Sequence, residues 1–192
     1  MLLKGGRVVN VFTGEIEAAN VLVEDETIIG IGDYSEQDAD VCEDVHGCWL
    51  CPGLIDGHIH IESTMLLPAE FARVCVPHGT TTIIADPHEI ANVCGQPGIR
   101  YMLEASEGLP LAMYFVLPSC VPATQFAESG ARLGEAELRE FYAHPRVLGL
   151  GEVMDYMGVV CRDEALMQKI RYAKEAGGVI NGHAPMLQGK PL

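Results

Sequence analysis

The first fifty residues alternate between short apolar runs and turn residues. The apolar runs cover residues 7–11, 20–24 and 27–32. Short strands at this spacing predict a small β module, which we bound at residues 1–51. The acidic stretch from Asp33 to Asp44 predicts a solvated loop.

After Pro52-Gly53 the pattern changes to an alternation of strand-like and helix-like segments. Strands are predicted at 54–60, 80–85, 111–117, 147–153 and 179–183, and helices at 68–76, 99–105, 135–142 and 163–176. The strand ends are about 30 residues apart, which is the length of a βαβ unit. This alternation predicts an α/β fold with a parallel sheet over residues 52–192.

A closed (β/α)₈ barrel needs about 250 residues and eight strands. The pattern after residue 52 supplies five strands. We therefore expect the first five β/α units of a (β/α)₈ TIM barrel, an incomplete barrel, and a chain that is the front part of a longer protein.

Charge and composition narrow the class of protein. The 192 residues carry 12 Lys and Arg against 27 Asp and Glu, for a net charge of −15. Such a surface repels phosphate backbones and anionic lipids, so we expect no nucleic-acid and no membrane partner. No apolar run approaches the ~20 residues of a spanning helix. The seven cysteines predict reduced thiols in a cytoplasmic protein.

The strongest chemical signal is the pair His58 and His60 at the end of the first barrel strand. Residues two apart on a strand point to the same face, which is the lumen of a barrel. Two imidazoles on one strand can chelate a divalent ion. Two histidines packed in the core or on the surface are the alternative interpretation.

Glu152 and His183 also follow predicted strands. Glu152 ends an apolar strand, where a carboxylate is costly unless it meets a cation or several donors. A helix cap or a surface salt bridge is the alternative for Glu152. The lysines lie at positions 4, 169, 174 and 190, none at a predicted strand end. A modified lysine therefore cannot bridge two metals here, and Glu152 would be the bridge.

Four further residues lie near the same end of the predicted sheet. Asp86, His88 and Glu89 follow the second barrel strand, and Glu62 follows His60. They are candidates for contacts to substrate or to the metal ligands. Capping of a helix by Asp86 and a surface position for Glu62 remain the alternatives.

A zinc nucleobase deaminase of the base-flipping kind is a second way to interpret the histidines. That signature is H-x-E followed by P-C-x-x-C. His60-Ile61-Glu62 fits its first half, but the one C-x-x-C, Cys48 to Cys51, lies upstream and lacks the proline. A redox or zinc role for these two cysteines is therefore disfavoured.

The chain resembles the amidohydrolase superfamily and, within it, the bacterial and archaeal adenine deaminases. The resemblance rests on four segments: Pro52 to Ser63, Val76 to Asn92, Leu148 to Met154 and Asn181 to Pro185. The first segment is shared in looser form by the whole superfamily. The Asp-Pro-His-Glu block at Asp86 is more specific to adenine deaminases.

The resemblance implies a metal-dependent barrel and a small β-sandwich built from both chain ends. It implies hydrolysis of adenine to hypoxanthine and ammonia with Mn²⁺ or Fe²⁺, as a binuclear centre in the complete enzyme. The family's metal ligands correspond here to His58, His60, Glu152 and His183. The family's further His and its general-base Asp have no counterpart before Leu192.

Two other functions stay open. One is a cyclic-amide hydrolase of the same superfamily, and the other is a fragment that folds or binds metal without catalysis. We expect free adenine as the small-molecule substrate and a homo-oligomer as the assembly. We also expect the 192-residue chain alone to lack deaminase activity, because five strands leave the lumen open to water.

Overall fold

The computed structural model describes residues 1–124 and 126–189. It divides the chain into two compact units, Met1–Gly53 and the chain from Leu54 onwards. Each is described by itself below.

The N-terminal unit is a single sheet of five strands. They are β1 (Leu2–Asn10), β2 (Glu15–Glu24), β3 (Thr27–Gly32), β4 (Cys42–Asp44) and β5 (Trp49–Leu50). The first three form an antiparallel meander, and β4 and β5 pair with β1 in parallel. Asp25 has φ of 50° in the tight turn between β2 and β3, a conformation that aspartate tolerates.

The acidic stretch is only partly the predicted loop. It holds a short 3₁₀ turn at Glu36–Asp38, but Cys42–Asp44 forms β4. All three β4 residues are exposed while their backbone pairs with residues 2–4 of β1. Backbone pairing does not require apolar side chains, so the polar composition hides this edge strand.

The second unit is a five-stranded parallel β/α sheet. Its strands are β6 (Leu54–Ile59), β7 (Thr80–Ala85), β8 (Ala112–Pro118), β9 (Val147–Val153) and β10 (Val179–Gly182). They lie side by side in chain order, and every neighbouring pair is parallel. The predicted strands match these within about one residue at each end, because β-branched and apolar runs of this length are strong strand signals.

The helices of the second unit are α1 (Pro68–Cys75), α2 (His88–Cys94), α3 (Gln96–Ala105), α4 (Glu135–Leu138), α5 (Tyr156–Val160) and α6 (Glu164–Glu175). The helix predicted over 135–142 stops at Leu138 and continues as a 3₁₀ turn, Arg139–Ala143. The sequence did not predict α2 or α5, which are too short to show a clear helical period.

A hydrophobic core fills the space between this sheet and its helices. Phe115, Leu117 and Leu150 of the strands are at most 1% exposed. They belong to one cluster with helical residues that include Ile99 and Leu166. Burying each such side chain contributes about 1.5–3 kcal/mol, and this layer holds the carboxyl ends of the strands in place.

None of the helices in residues 1–124 and 126–189 has the length and apolar character needed to cross a membrane.

Candidate metal centre

One carboxylate, that of Glu152, lies among four imidazoles. Its Oε1 atom is 3.0 Å from Nε2 of His58 and 3.0 Å from Nε2 of His183. Its Oε2 atom is 3.5 Å from Nε2 of His60 and 3.1 Å from Nδ1 of His88. These residues come from the carboxyl ends of β6, β9 and β10 and from the start of α2, so the parallel sheet gathers them at one edge.

The hydrogen bond made by Nδ1 of His60 determines which of its two ring nitrogens carries the proton. Nδ1 of His60 lies 2.8 Å from the carbonyl oxygen of Asp86, which can only accept a hydrogen bond. Nδ1 therefore carries the proton, and Nε2 presents a lone pair 3.2 Å from Nε2 of His58. Donation of the outer N–H to a backbone carbonyl is the usual way to orient a metal-binding histidine.

Asp86 and His88 form a second group around the same Glu152. Asp86 is 1% exposed, and neither of its carboxylate oxygens has a hydrogen-bond partner. The helix α2 begins after Pro87 with no side-chain cap, so Asp86 is not the capping residue of the alternative interpretation. A buried carboxylate without donors is expensive, and a cation would remove that cost.

The donor atoms are close enough for shared ions. His58, His60 and Glu152 form one group whose ligand atoms all lie within 4.8 Å of one another, and Asp86, His88 and Glu152 form another. Two nitrogens 3.2 Å apart can both contact one ion at bond lengths of about 2.0–2.1 Å. His and carboxylate ligands accept Zn²⁺, Mn²⁺ and Fe²⁺. The donor set therefore fits a divalent-metal centre.

Charge shifts the pKa values of these groups. Burial raises the pKa of Glu152, but the hydrogen bond from His183 and the nearby imidazoles outweigh it, so the net pKa is lowered. The adjacent Asp86 carboxylate, 3.7 Å from Nδ1, raises the pKa of His88, and burial opposes this. A carboxylate kept ionised beside imidazoles suits cation binding.

Gly151 has no side chain, and this allows Val116 and Asp86 to lie close to strand β9 beside Glu152. A Cβ on Gly151 would lie 2.2 Å from a methyl group of Val116 and 3.0 Å from Oδ2 of Asp86. Glu152 itself has φ of 36°, which L-residues rarely adopt and which costs of order 1–3 kcal/mol. Such strain is concentrated at functional sites.

Glu62 and Glu89 lie beside the histidine cluster. Oε1 of Glu62 accepts a hydrogen bond from the backbone N–H of Ile90 at 3.2 Å, while its Oε2 is buried without a partner. Burial raises the pKa of Glu62. Ser63 donates its hydroxyl proton to Glu89. Glu62 is thus partly buried rather than a surface residue.

The remaining candidates of the sequence lie elsewhere. Cys48 and Cys51 are exposed free thiols, and neither belongs to a candidate metal group in the described part of the chain. Lys169 lies on α6, and its ammonium donates to the carbonyl oxygen of Ser119 at 2.6 Å. Lys190 lies outside the described residues. The side chains of Ser119 and Asn181 bind the backbone of Glu152, a contact the sequence did not predict because a lone hydroxyl or amide carries no spacing signal.

The fold and the site together define a parallel β/α scaffold with a candidate divalent-metal centre at the carboxyl ends of its strands. The sequence model of the amidohydrolase family matches residues 49–190. The chain therefore belongs to the amidohydrolase family.

Curated relatives in sequence carry a more specific name. The chain is 50% identical to an adenine deaminase of Kosmotoga olearia and 52% identical to adenine deaminase 2 of Carboxydothermus hydrogenoformans. Each comparison covers 100% of this chain but 33% of the relative. The chain thus spans about a third of the length of these relatives.

Solved structures show the same fold. A D-hydantoinase from Bacillus sp. AR9 aligns over 95% of this chain and 39% of its own, with a TM-score of 0.65 and 24% identity. An atrazine chlorohydrolase from Arthrobacter aurescens TC1 aligns over 96% and 53%, with a TM-score of 0.70 and 17% identity. The five-stranded sheet is therefore a partial TIM barrel of the amidohydrolase type.

Proposed function

We propose that this chain supplies the metal-binding part of an adenine deaminase, which hydrolyses adenine to hypoxanthine and ammonia. The observation that carries the proposal is the convergence of four imidazoles on the Glu152 carboxylate. The choice of adenine rests on relatives of that name at 50% and 52% identity.

The two groups of candidate ligands would hold two divalent ions. His58, His60 and His183 would hold one divalent ion and Asp86 and His88 a second, Mn²⁺ or Fe²⁺. Glu152 would help to hold both ions, because its carboxylate lies 3.0 Å from His58 of the first group and 3.1 Å from His88 of the second.

The reaction adds water to C6 of adenine and breaks the bond to the exocyclic nitrogen, which leaves as ammonia. Divalent ions in such a site lower the pKa of water and polarise the group under attack. Glu62 and Glu89, which lie beside the histidine cluster, remain our candidates for contacts to the purine or to the metal ligands. Residues 1–192 hold no counterpart of the general-base aspartate that the resemblance implies.

The experiment is a chimera. Residues 1–192 replace the matching third of the Kosmotoga olearia adenine deaminase, and the purified protein is loaded with Mn²⁺. Conversion of adenine is measured as ammonia release, with hydantoin as the contrasting substrate. We expect adenine turnover, no hydantoin hydrolysis, and loss of activity in a His58→Ala, His60→Ala variant.

A control variant changes a histidine away from the site. His46→Ala, in the N-terminal unit, should leave turnover unchanged. A chimera that binds Mn²⁺ but hydrolyses hydantoin and not adenine would favour the cyclic-amide hydrolase instead. The 192-residue chain assayed alone tests our expectation that it is inactive.

The N-terminal unit is proposed to be half of a composite β-sandwich. One face of its sheet forms an apolar groove of about 430 Å³. Phe12, Ile28 and Trp49 line it and are 97%, 62% and 55% exposed. Apolar patches of this kind are normally covered by further strands or by another subunit, which also supports the proposed homo-oligomer.

A further inference from the structure

Strand β9 contains a bulge at Gly151 and Glu152. Leu150 pairs with Ile180 of β10, and the next pair is Val153 with Gly182. Gly151 and Glu152 thus lie opposite the single residue Asn181. A bulge leaves backbone groups out of the ladder and redirects a side chain.

Both backbone polar groups of Glu152 are bound by side chains instead. The N–H of Glu152 donates to Oδ1 of Asn181 at 2.8 Å. The carbonyl oxygen of Glu152 accepts from the hydroxyl of Ser119 at 2.7 Å. Asn181 belongs to β10 and Ser119 follows β8, so the peptide is held from the strands on both sides.

These two hydrogen bonds act on a strained residue. The φ of Glu152, 36°, is unfavourable for any residue with a Cβ, and it persists only where the surroundings impose it. In this conformation the carboxylate points into the four imidazoles, 3.0 Å from His58 and His183.

Ser119 is itself fixed. It is 2% exposed, and its carbonyl oxygen accepts from the partly buried ammonium of Lys169 at 2.6 Å. Its hydroxyl has one proton, which goes to Glu152, while the thiol of Cys120 at 3.1 Å can donate to the same oxygen. The hydroxyl therefore has a single orientation available.

We infer that Ser119 and Asn181 are positioning residues that hold the Glu152 peptide in its left-handed conformation and so aim its carboxylate at the metal centre. The inference rests on the proposed function in so far as Glu152 contacts the ions. The geometry on which it stands does not depend on which substrate is hydrolysed.

The test is a titration of the purified protein with Co²⁺, followed by its visible absorption, in Ser119→Ala and Asn181→Leu variants. Substituting groups that orient a metal ligand typically lowers metal affinity 10–100-fold. We expect a loss of that size in each variant and a changed Co²⁺ spectrum. Asn181→Asp keeps an acceptor oxygen and should restore both affinity and spectrum.

Two variants control for the loss of a polar group as such. Ser106→Ala removes another buried hydroxyl, one that bonds the backbone of α3. Asn20→Leu removes another amide that accepts from a backbone N–H, that of Gly5 at 2.8 Å. Both should leave Co²⁺ affinity unchanged. Equal losses in these controls would overturn the inference, as would wild-type affinity in both test variants.

A second measurement does not need bound metal. Crystal structures of the metal-free Ser119→Ala and Asn181→Asp proteins report φ of residue 152 directly. In Ser119→Ala we expect φ of residue 152 to become negative and the carboxylate to move away from His58. In Asn181→Asp we expect the positive φ and the contact with His58 to be kept. Wild-type geometry in Ser119→Ala overturns the role of Ser119. In the chimera with the Kosmotoga olearia adenine deaminase, wild-type residues 1–192 that bind Co²⁺ without supporting deamination of adenine would contradict the proposed function alone.

Discussion

The Oε2 atom of Glu152 lies 3.1 Å from Nδ1 of His88, while Oε1 of the same carboxylate faces His58 and His183. One side chain therefore joins the two groups of candidate ligands. This relationship makes Glu152 the residue whose loss should affect both halves of the site at once.

Glu152→Gln should remove most of the bound metal. The amide keeps the size of the side chain but loses the charge that offsets two cations, so we expect affinity for Mn²⁺ to fall by roughly 100-fold or more. Metal content after gel filtration, measured by mass spectrometry, checks this. Glu140→Gln is the matched control, because it alters an exposed carboxylate that forms an ion pair with Arg100. Equal metal content in both variants would contradict the assignment.

Asp86→Asn should have opposite effects with and without metal. In metal-free protein it removes a buried charge whose oxygens have no hydrogen-bond partner, so the free energy of unfolding should rise by about 1 kcal/mol. With Mn²⁺ present the variant should bind one ion fewer and be less stabilised than the wild type. Urea unfolding with and without chelator measures both. A variant that is destabilised equally in the two conditions would argue for a purely structural Asp86.

Phe115→Ala should destabilise the second unit by about 3–5 kcal/mol, because Phe115 is 1% exposed in the central strand β8 and its removal leaves a cavity. Phe126→Ala is the control, since this side chain is 87% exposed and should change the free energy of unfolding by less than about 0.5 kcal/mol. Urea unfolding followed by circular dichroism separates the two outcomes.

Lys169 should make the free energy of unfolding depend on pH in the alkaline range. Burial lowers the pKa of Lys169 below its ordinary 10.5 in the folded state. Between the lowered pKa and 10.5 the unfolded chain holds a proton that the folded chain has released, so the free energy of unfolding rises with pH there. Relative to Lys169→Met, the wild type should therefore gain stability as pH rises towards 10.5. Lys174→Met, on the exposed side of α6, should show no such difference from wild type.

The apolar face of the N-terminal sheet should drive self-association of the 192-residue chain. Replacing Ile28 and Ile31, which line the groove, with lysine should shift the protein towards monomer. Sedimentation velocity measures the change. Val93→Lys, which alters an exposed apolar side chain of α2, is the control. Association that is the same in all three proteins would show that this face is not the contact.

The sequence predicted most of the secondary structure because the signals are local. Thr27–Gly32, Thr80–Ala85 and Val147–Val153 match the predicted strands in full, since each is a short apolar or β-branched run bounded by turn residues. β4 and the helices α2 and α5 were not predicted. Their residues show no period that distinguishes them from loops, and tertiary pairing decides their structure.

The sequence by itself also placed His58, His60, Glu152 and His183 at strand ends, which in a parallel sheet lie at one edge. Only the tertiary structure decided that Asp86 and His88 face the same carboxylate and that Ser119 and Asn181 bind its peptide. The reason is the register between strands. A shift of one residue, such as the bulge at Gly151 and Glu152, redirects every side chain that follows, and no local pattern in the chain encodes it.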